Sequence, residues 1–177
     1  MEEKIKKVTP LIDEYIYDYK DQEIEEAIGN LLIKHNKKIA LAESCTGGYI
    51  SHSLTKVPGS SRYFNGCIVP YQNEFKINNL HVKKETIAAN GAVSEETVRE
   101  MATQVRLLFK SDIGIACSGI AGPGGATPEK PIGTIWIAYA DEKKVITKKL
   151  QLGGTRLINI QGTAMAVFNM IRMELEK

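Results

Sequence analysis

The feature that most limits the fold is an alternation. Short apolar runs, each long enough for one buried strand, are separated by stretches of helical spacing and end at glycine, serine or proline. Residues 21–38 carry Ile24, Ala27, Ile28, Leu31 and Leu32 at three- and four-residue spacing, which predicts an amphipathic helix with Asp21 as N-cap. Residues 39–42 predict a buried strand that breaks at Ser44, and Gly47 and Gly48 open a helix to about Lys56. Residues 65–71 predict a second strand, which Pro70 demotes toward an edge. Helices are expected over 73–79 and 85–89. Ser94 caps a stronger one through Lys110, with Val98, Met101, Ala102, Val105 and Phe109 as its apolar stripe. Residues 112–118 predict a buried strand, 133–140 and 145–152 a hairpin, and about 155–174 a last helix. Helices alternate with strands early and a hairpin comes late, so the class is α/β: a mixed sheet with helices on both faces.

A chain of 177 residues is one domain by size, with enough length to bury a core. Residues 1–20 stand apart. They hold Tyr15, Tyr17 and Tyr19 among Asp and Lys with little periodicity, and read as an N-terminal extension to a domain over 21–177. The net charge of +2 gives no electrostatic case for a nucleic-acid or membrane partner. No apolar run approaches the roughly 20 residues that span a bilayer, and the first ten residues lack the apolar core of a secretory signal. Cys45, Cys67 and Cys117 have no paired spacing, so neither a disulfide framework nor a zinc cluster is expected. The expectation is a reduced, cytoplasmic, soluble protein. His35, His52 and His81 share no metal-ligand spacing, and no metal site is expected.

Three loops follow the carboxyl ends of predicted strands, the edge where open α/β sheets bind ligands. The first runs Glu43-Ser44-Cys45-Thr46-Gly47-Gly48. Hydroxyls before two glycines at a helix start suit an anion or a polarised carbonyl; an ordinary turn capped by Ser44 or Thr46 fits equally. Cys45 is a second candidate nucleophile, without a local histidine. The second loop carries Tyr71, Asn73 and Lys76. A lysine desolvated there loses its proton readily and can act as base for a serine, whereas most lysines are solvated surface charges. The third holds Ser118, Gly119 and Gly122 in a glycine-rich run that permits close backbone approach to a ligand. It is neither a Walker loop nor a dinucleotide fingerprint.

The segments LAESCTGGYIS (41–51), VPGSSRYFNGCIVPYQNEFK (57–76), GAVSEETVREMA (91–102) and CSGIAGPGGATPEKPIGTIWIAY (117–139) occur in this order. Over about 150 residues, from 21 to the C-terminus, the chain resembles the CinA C-terminal domain family, whose enzymes are nicotinamide-nucleotide amidases of the PncC type. The family's members occur alone or fused behind a molybdopterin-binding-like domain. The resemblance implies a three-layer α/β/α sandwich, no metal, no cofactor and a homodimer. It implies hydrolysis of the carboxamide of nicotinamide mononucleotide to nicotinate mononucleotide and ammonia, a pyridine-nucleotide salvage step. Carried over by motif, Ser44 is the nucleophile and Lys76 its general base. Tyr71 and Asn73 orient Lys76 or the pyridine ring. Backbone N–H groups around Thr46, Gly47 and Gly48 meet the oxyanion. Ser118, Gly119 and Gly122 line the nucleotide pocket, and Arg156 pairs with the phosphate.

The sequence departs from the family pattern at two places. Gln72 stands where a serine is usual and is expected to crowd the pocket. Ile160 stands at the position of a second arginine, which removes one cationic phosphate contact. These departures keep two other readings open: a non-catalytic nucleotide-binding or competence-associated regulatory module, and an amidase for another small carboxamide.

Overall fold

The structure is a computed structural model that describes residues 22–177. The boundary of the N-terminal extension and the Asp21 cap lie outside the described residues. In chain order the elements are α1 (Ile24–Lys34), β1 (Ile39–Glu43), α2 (Tyr49–Thr55), a 3₁₀ turn (Ser60–Arg62), β2 (Phe64–Ile68), α3 (Asn73–Asn78), α4 (Lys84–Asn90), α5 (Glu95–Leu108), β3 (Ile113–Gly119), β4 (Thr134–Ala140), β5 (Val145–Gln151) and α6 (Arg156–Leu175).

The five strands form one sheet in the order β2-β1-β3-β4-β5. β1 is parallel to β2 and β3, and the β4–β5 hairpin adds antiparallel to β3, so the sheet is mixed as expected. β2 is an edge strand, in keeping with Pro70. It ends at Ile68 rather than Tyr71, which leaves the Pro70 and Tyr71 carbonyls free for the site described below. The first helix is shorter than its periodicity predicts. Glu23 occupies the N-cap without a side-chain bond, and Asn36 in the left-handed region follows the C-cap His35.

The period-two alternation of the strands sorts the two faces by size. Ile39, Leu41, Ile113, Ile115, Ile135 and Ile137 point to the face covered by α1, α2 and α6, where Ile28, Leu32, Ile50, Leu54, Phe168 and Ile171 complete the larger core. Ala40, Ala42, Ala116, Ala138 and Ala140 point to the other face, under Val98, Met101, Ala102 and Val105 of α5. Small residues let α5 lie almost on the strands. A Cβ built on Gly114 would stand 2.1 Å from the Ala102 carbonyl oxygen. Ser94 caps α5 as the sequence predicts, its hydroxyl accepting from Thr97 N–H at 3.2 Å.

Two crossovers leave β1 and β2 in opposite directions. β1 connects to β2 through α2 on one face, and β2 returns past β1 to β3 through α5 on the other, consistent with right-handed connections. The switch point therefore falls between the carboxyl ends of β1 and β3, which are Glu43 and Gly119.

Candidate active site

Glu43, the last residue of β1, organises the turn that follows. Its carboxylate is buried among donors: the Gly48 N–H at 3.0 Å, Ile50 N–H at 3.1 Å, Ser51 N–H at 2.7 Å and Thr46 hydroxyl at 2.7 Å. Gly47 and Gly48 have φ of 62° and 98°, and α2 has no side-chain cap from its own N-cap residue. The strand's carboxylate does that work, placed where the helix dipole favours negative charge. The anion seat suggested by this helix start is thus filled by the chain's own Glu43. The Gly47 N–H donates to the Ser44 carbonyl, so that amide is also committed.

This anchored turn presents Ser44 at the sheet edge, 8% exposed. Lys76, in the short helix α3, reaches it from the β2 side. Its Nζ donates to the Pro70 carbonyl at 2.8 Å, the Tyr71 carbonyl at 3.2 Å and Ser44 Oγ at 3.2 Å. Lys76 is 1% exposed and has no carboxylate partner among the described residues. Burial lowers its pKa below that of an ordinary lysine, partly opposed by Cys45 and Cys117. The same three partners serve both states: an ammonium donates to all three, whereas the neutral amine donates to the two carbonyls and turns its lone pair to the Ser44 hydroxyl.

The cavity between these elements holds about 250 Å³, a small-ligand volume. Its walls bring together Ser44, Lys76, Tyr71, Asn73, Ser118, Gly119, Gly122 and Arg156 from the sequence reading. Arg156, first residue of α6, bridges two loops: Nη1 donates to the Gly122 carbonyl at 2.8 Å and Nη2 to the Tyr71 hydroxyl at 2.8 Å. Buried Asn159 braces it from behind, donating to the Ala121 and Gly154 carbonyls and accepting from Gly154 N–H.

Other sequence-predicted residues lie elsewhere. Thr46, Gly47 and Gly48 are not on the cavity wall. The Thr46 hydroxyl bonds Glu43 and sits 3.0 Å from Cys117 Sγ. Gln72 is exposed and off the wall, so it does not crowd the cavity. Ile160 turns inward and packs on the larger core, where an arginine would have to be desolvated. Sequence reasoning missed the anchoring role of Glu43, signalled by an acid closing an otherwise apolar strand. It also missed Ala92 and Val93, an apolar wall ahead of the Ser94 cap.

The cysteines are all free. Cys45 lines the cavity, but its contact with Cys117 and its burial push its pKa well above the ordinary thiol value. Burial, then Glu43, pushes Cys67 up to about 12. Of the two candidate nucleophiles, Ser44 is the one whose side chain hydrogen-bonds Lys76. Among the described residues no cluster of three His, Cys, Asp or Glu is placed to hold a metal, and no helix is long and apolar enough to cross a membrane.

The profile of the family described as "CinA C-terminal domain" matches residues 21–175. A CinA-like protein of Cytophaga hutchinsonii is 51% identical over 177 residues, covering all of this chain and 42% of that protein. A CinA-like protein of Amoebophilus asiaticus is 51% identical over 99% of this chain and 42% of its own length. The chain thus spans about two-fifths of these curated relatives. Among solved structures, a CinA superfamily protein from Klebsiella pneumoniae superposes with a TM-score of 0.84 at 30% identity, over 88% of this chain and 99% of its own. A competence/damage inducible protein from Agrobacterium tumefaciens gives 0.81 at 31% identity, over 90% and 99%. On its profile match and on this fold, the chain belongs to the CinA C-terminal domain family.

Proposed function

We propose that the chain is a cytoplasmic, homodimeric amidase that hydrolyses nicotinamide mononucleotide to nicotinate mononucleotide and ammonia. The observation that carries the chemistry is the buried Lys76 side chain 3.2 Å from Ser44 Oγ, with no carboxylate partner among the described residues. The substrate identity and the dimer rest on the family resemblance.

In this reading neutral Lys76 takes the Ser44 proton as Oγ attacks the carboxamide carbon. The ammonium of Lys76 returns that proton to the amide nitrogen, the C–N bond breaks, and ammonia leaves an acyl-Ser44. Water, deprotonated by the same amine, releases the carboxylate. Ala92 and Val93 offer the flat ring an apolar wall, and Arg156 meets the phosphate with N–H groups not spent on Gly122 and Tyr71.

A specific observation also favours a second reading. With Ile160 packed against the larger core, Lys76 and Arg156 are the cationic side chains on the described cavity wall. Weak phosphate dependence would fit an amidase for another small carboxamide, and absent turnover a nucleotide-binding regulatory module. Incubating purified protein with nicotinamide mononucleotide, beside the unphosphorylated nucleoside and other carboxamides, tests this. Equimolar nicotinate mononucleotide and ammonia are expected; nucleotide binding without hydrolysis would favour the module.

A further inference from the structure

Two segments far apart in the chain contribute to the cavity wall: Ala92 and Val93, ahead of the α5 cap, and Gly124 and Gly125, in the loop from β3 to β4. The first segment is well held. The Gly91 carbonyl accepts from the Ser94 hydroxyl at 2.9 Å and the Thr97 hydroxyl at 2.8 Å, and Ser94 caps α5. The second is held only at its neck, where Ile120 N–H donates to the Thr134 carbonyl and Gly133 N–H to the Ile120 carbonyl. Residues 123–129 beyond the neck are exposed, and a Cβ built on Gly124 would meet nothing within 4 Å. Two adjacent glycines there give the backbone wide freedom.

One side chain ties this loop back to the first segment. Lys130 Nζ donates to the Asn90 carbonyl at 2.9 Å, and among the described residues this is the one hydrogen bond between residues 123–131 and 84–93. Asn90 ends α4, where carbonyls without a helical partner and the helix dipole favour a cation. Gly91 leaves room for that cation: its φ is 78°, and a Cβ there would stand 3.3 Å from Lys130 Nζ. Lys130 is itself set in a closed turn. Thr127 N–H donates to its carbonyl at 3.0 Å, and its own N–H bonds the Thr127 carbonyl at 3.2 Å and hydroxyl at 3.1 Å.

We propose that Lys130 is a positioning residue, a latch that holds the glycine-rich loop beside the Ala92 and Val93 wall and so sets how tightly the cavity holds its ligand. Lys130 is not on the cavity wall; it acts through Gly124 and Gly125. With the latch open the wall is incomplete, and apparent affinity falls with the latched fraction. The proposal rests on the reading of this cavity as the amidase site.

Full-length Lys130→Met and Lys130→Arg test it by two readouts that need no turnover. The first is ¹⁵N relaxation of the Gly124 and Gly125 amides: order parameters near ~0.85 are expected in the wild type and below ~0.6 in Lys130→Met. The second is nicotinamide mononucleotide affinity by calorimetry in a Ser44→Ala background, where adding Lys130→Met should raise Kd about 3–10-fold, the worth of one hydrogen bond. Lys130→Arg keeps a donor for the Asn90 carbonyl and should stay close to the wild type in both. In the active enzyme KM should rise more than kcat falls. Order parameters that Lys130→Met leaves unchanged overturn the latch, and so does an unchanged Kd. A wild type that binds the nucleotide but releases no ammonia defeats the amidase reading alone, since the two latch readouts still stand.

Discussion

Lys76 Nζ stands 3.2 Å from Ser44 Oγ, and its other close acceptors are the carbonyls of Pro70 and Tyr71. A buried lysine held by two neutral carbonyls and one hydroxyl, with no carboxylate partner among the described residues, gives up its proton more readily than a solvated one.

The first prediction concerns pH. Burial lowers the folded-state pKa of Lys76 below its unfolded value. Between those two values the unfolded chain binds the extra proton, so stability rises with pH through the folded pKa and levels off near the unfolded value of about 10.4. Turnover should rise through the same folded-state pKa. Lys76→Met should flatten the stability profile in that window and lower kcat about 10²–10⁴-fold. Denaturant titrations across pH, paired with rates, check both; a stability profile that Lys76→Met leaves unchanged would contradict a shifted lysine.

The second concerns Arg156. Arg156→Ala should raise KM for the nucleotide by about 10–150-fold, the equivalent of a lost charge-assisted hydrogen bond of about 1.5–3 kcal/mol. KM for the unphosphorylated nucleoside should barely move. Equal increases for both would assign Arg156 to bracing Tyr71 and Gly122 rather than to phosphate.

A third prediction tests the anchor. Glu43→Gln replaces an acceptor oxygen with an NH₂ that faces donors from Thr46, Gly48, Ile50 and Ser51. The cost should be at least ~1.5–3 kcal/mol, read as a lower denaturation midpoint. kcat should fall more than KM changes, because the turn that carries Ser44 loosens.

The fourth concerns the close-packed face. Gly114→Ala would press a methyl group on the Ala102 carbonyl and on Arg106. Destabilisation of about 1–3 kcal/mol is expected by chemical denaturation. Gly114 lies at the opposite end of β3 from the cavity residues Ser118 and Gly119, so residual folded protein should keep its kcat.

Much of this architecture is legible in the sequence because its signals are local. Period-two and helical spacing mark the strands and helices, Ser94 marks a helix start, and Pro70 marks an edge. Ser44, Lys76 and Arg156 are legible through their motifs, although 32 residues separate the first two. What escaped depends on where side chains point. Glu43 reads as one more loop residue until three backbone N–H groups of the next turn are seen to converge on it. Thr46, Gly47 and Gly48 read as ligand contacts, yet Glu43 takes the Thr46 hydroxyl and the Gly48 N–H, and the Ser44 carbonyl takes the Gly47 N–H. Ile160 reads as a lost arginine at a site, and the fold packs it, partly buried, against the larger core.

The most direct test of the central claim is ammonia release from nicotinamide mononucleotide by wild type and Ser44→Ala, with a chelator in both samples. The wild type should produce ammonia steadily, and Ser44→Ala should lose turnover while still folding and binding the nucleotide. Ammonia release by Ser44→Ala at the wild-type rate would contradict the assignment of Ser44 as nucleophile.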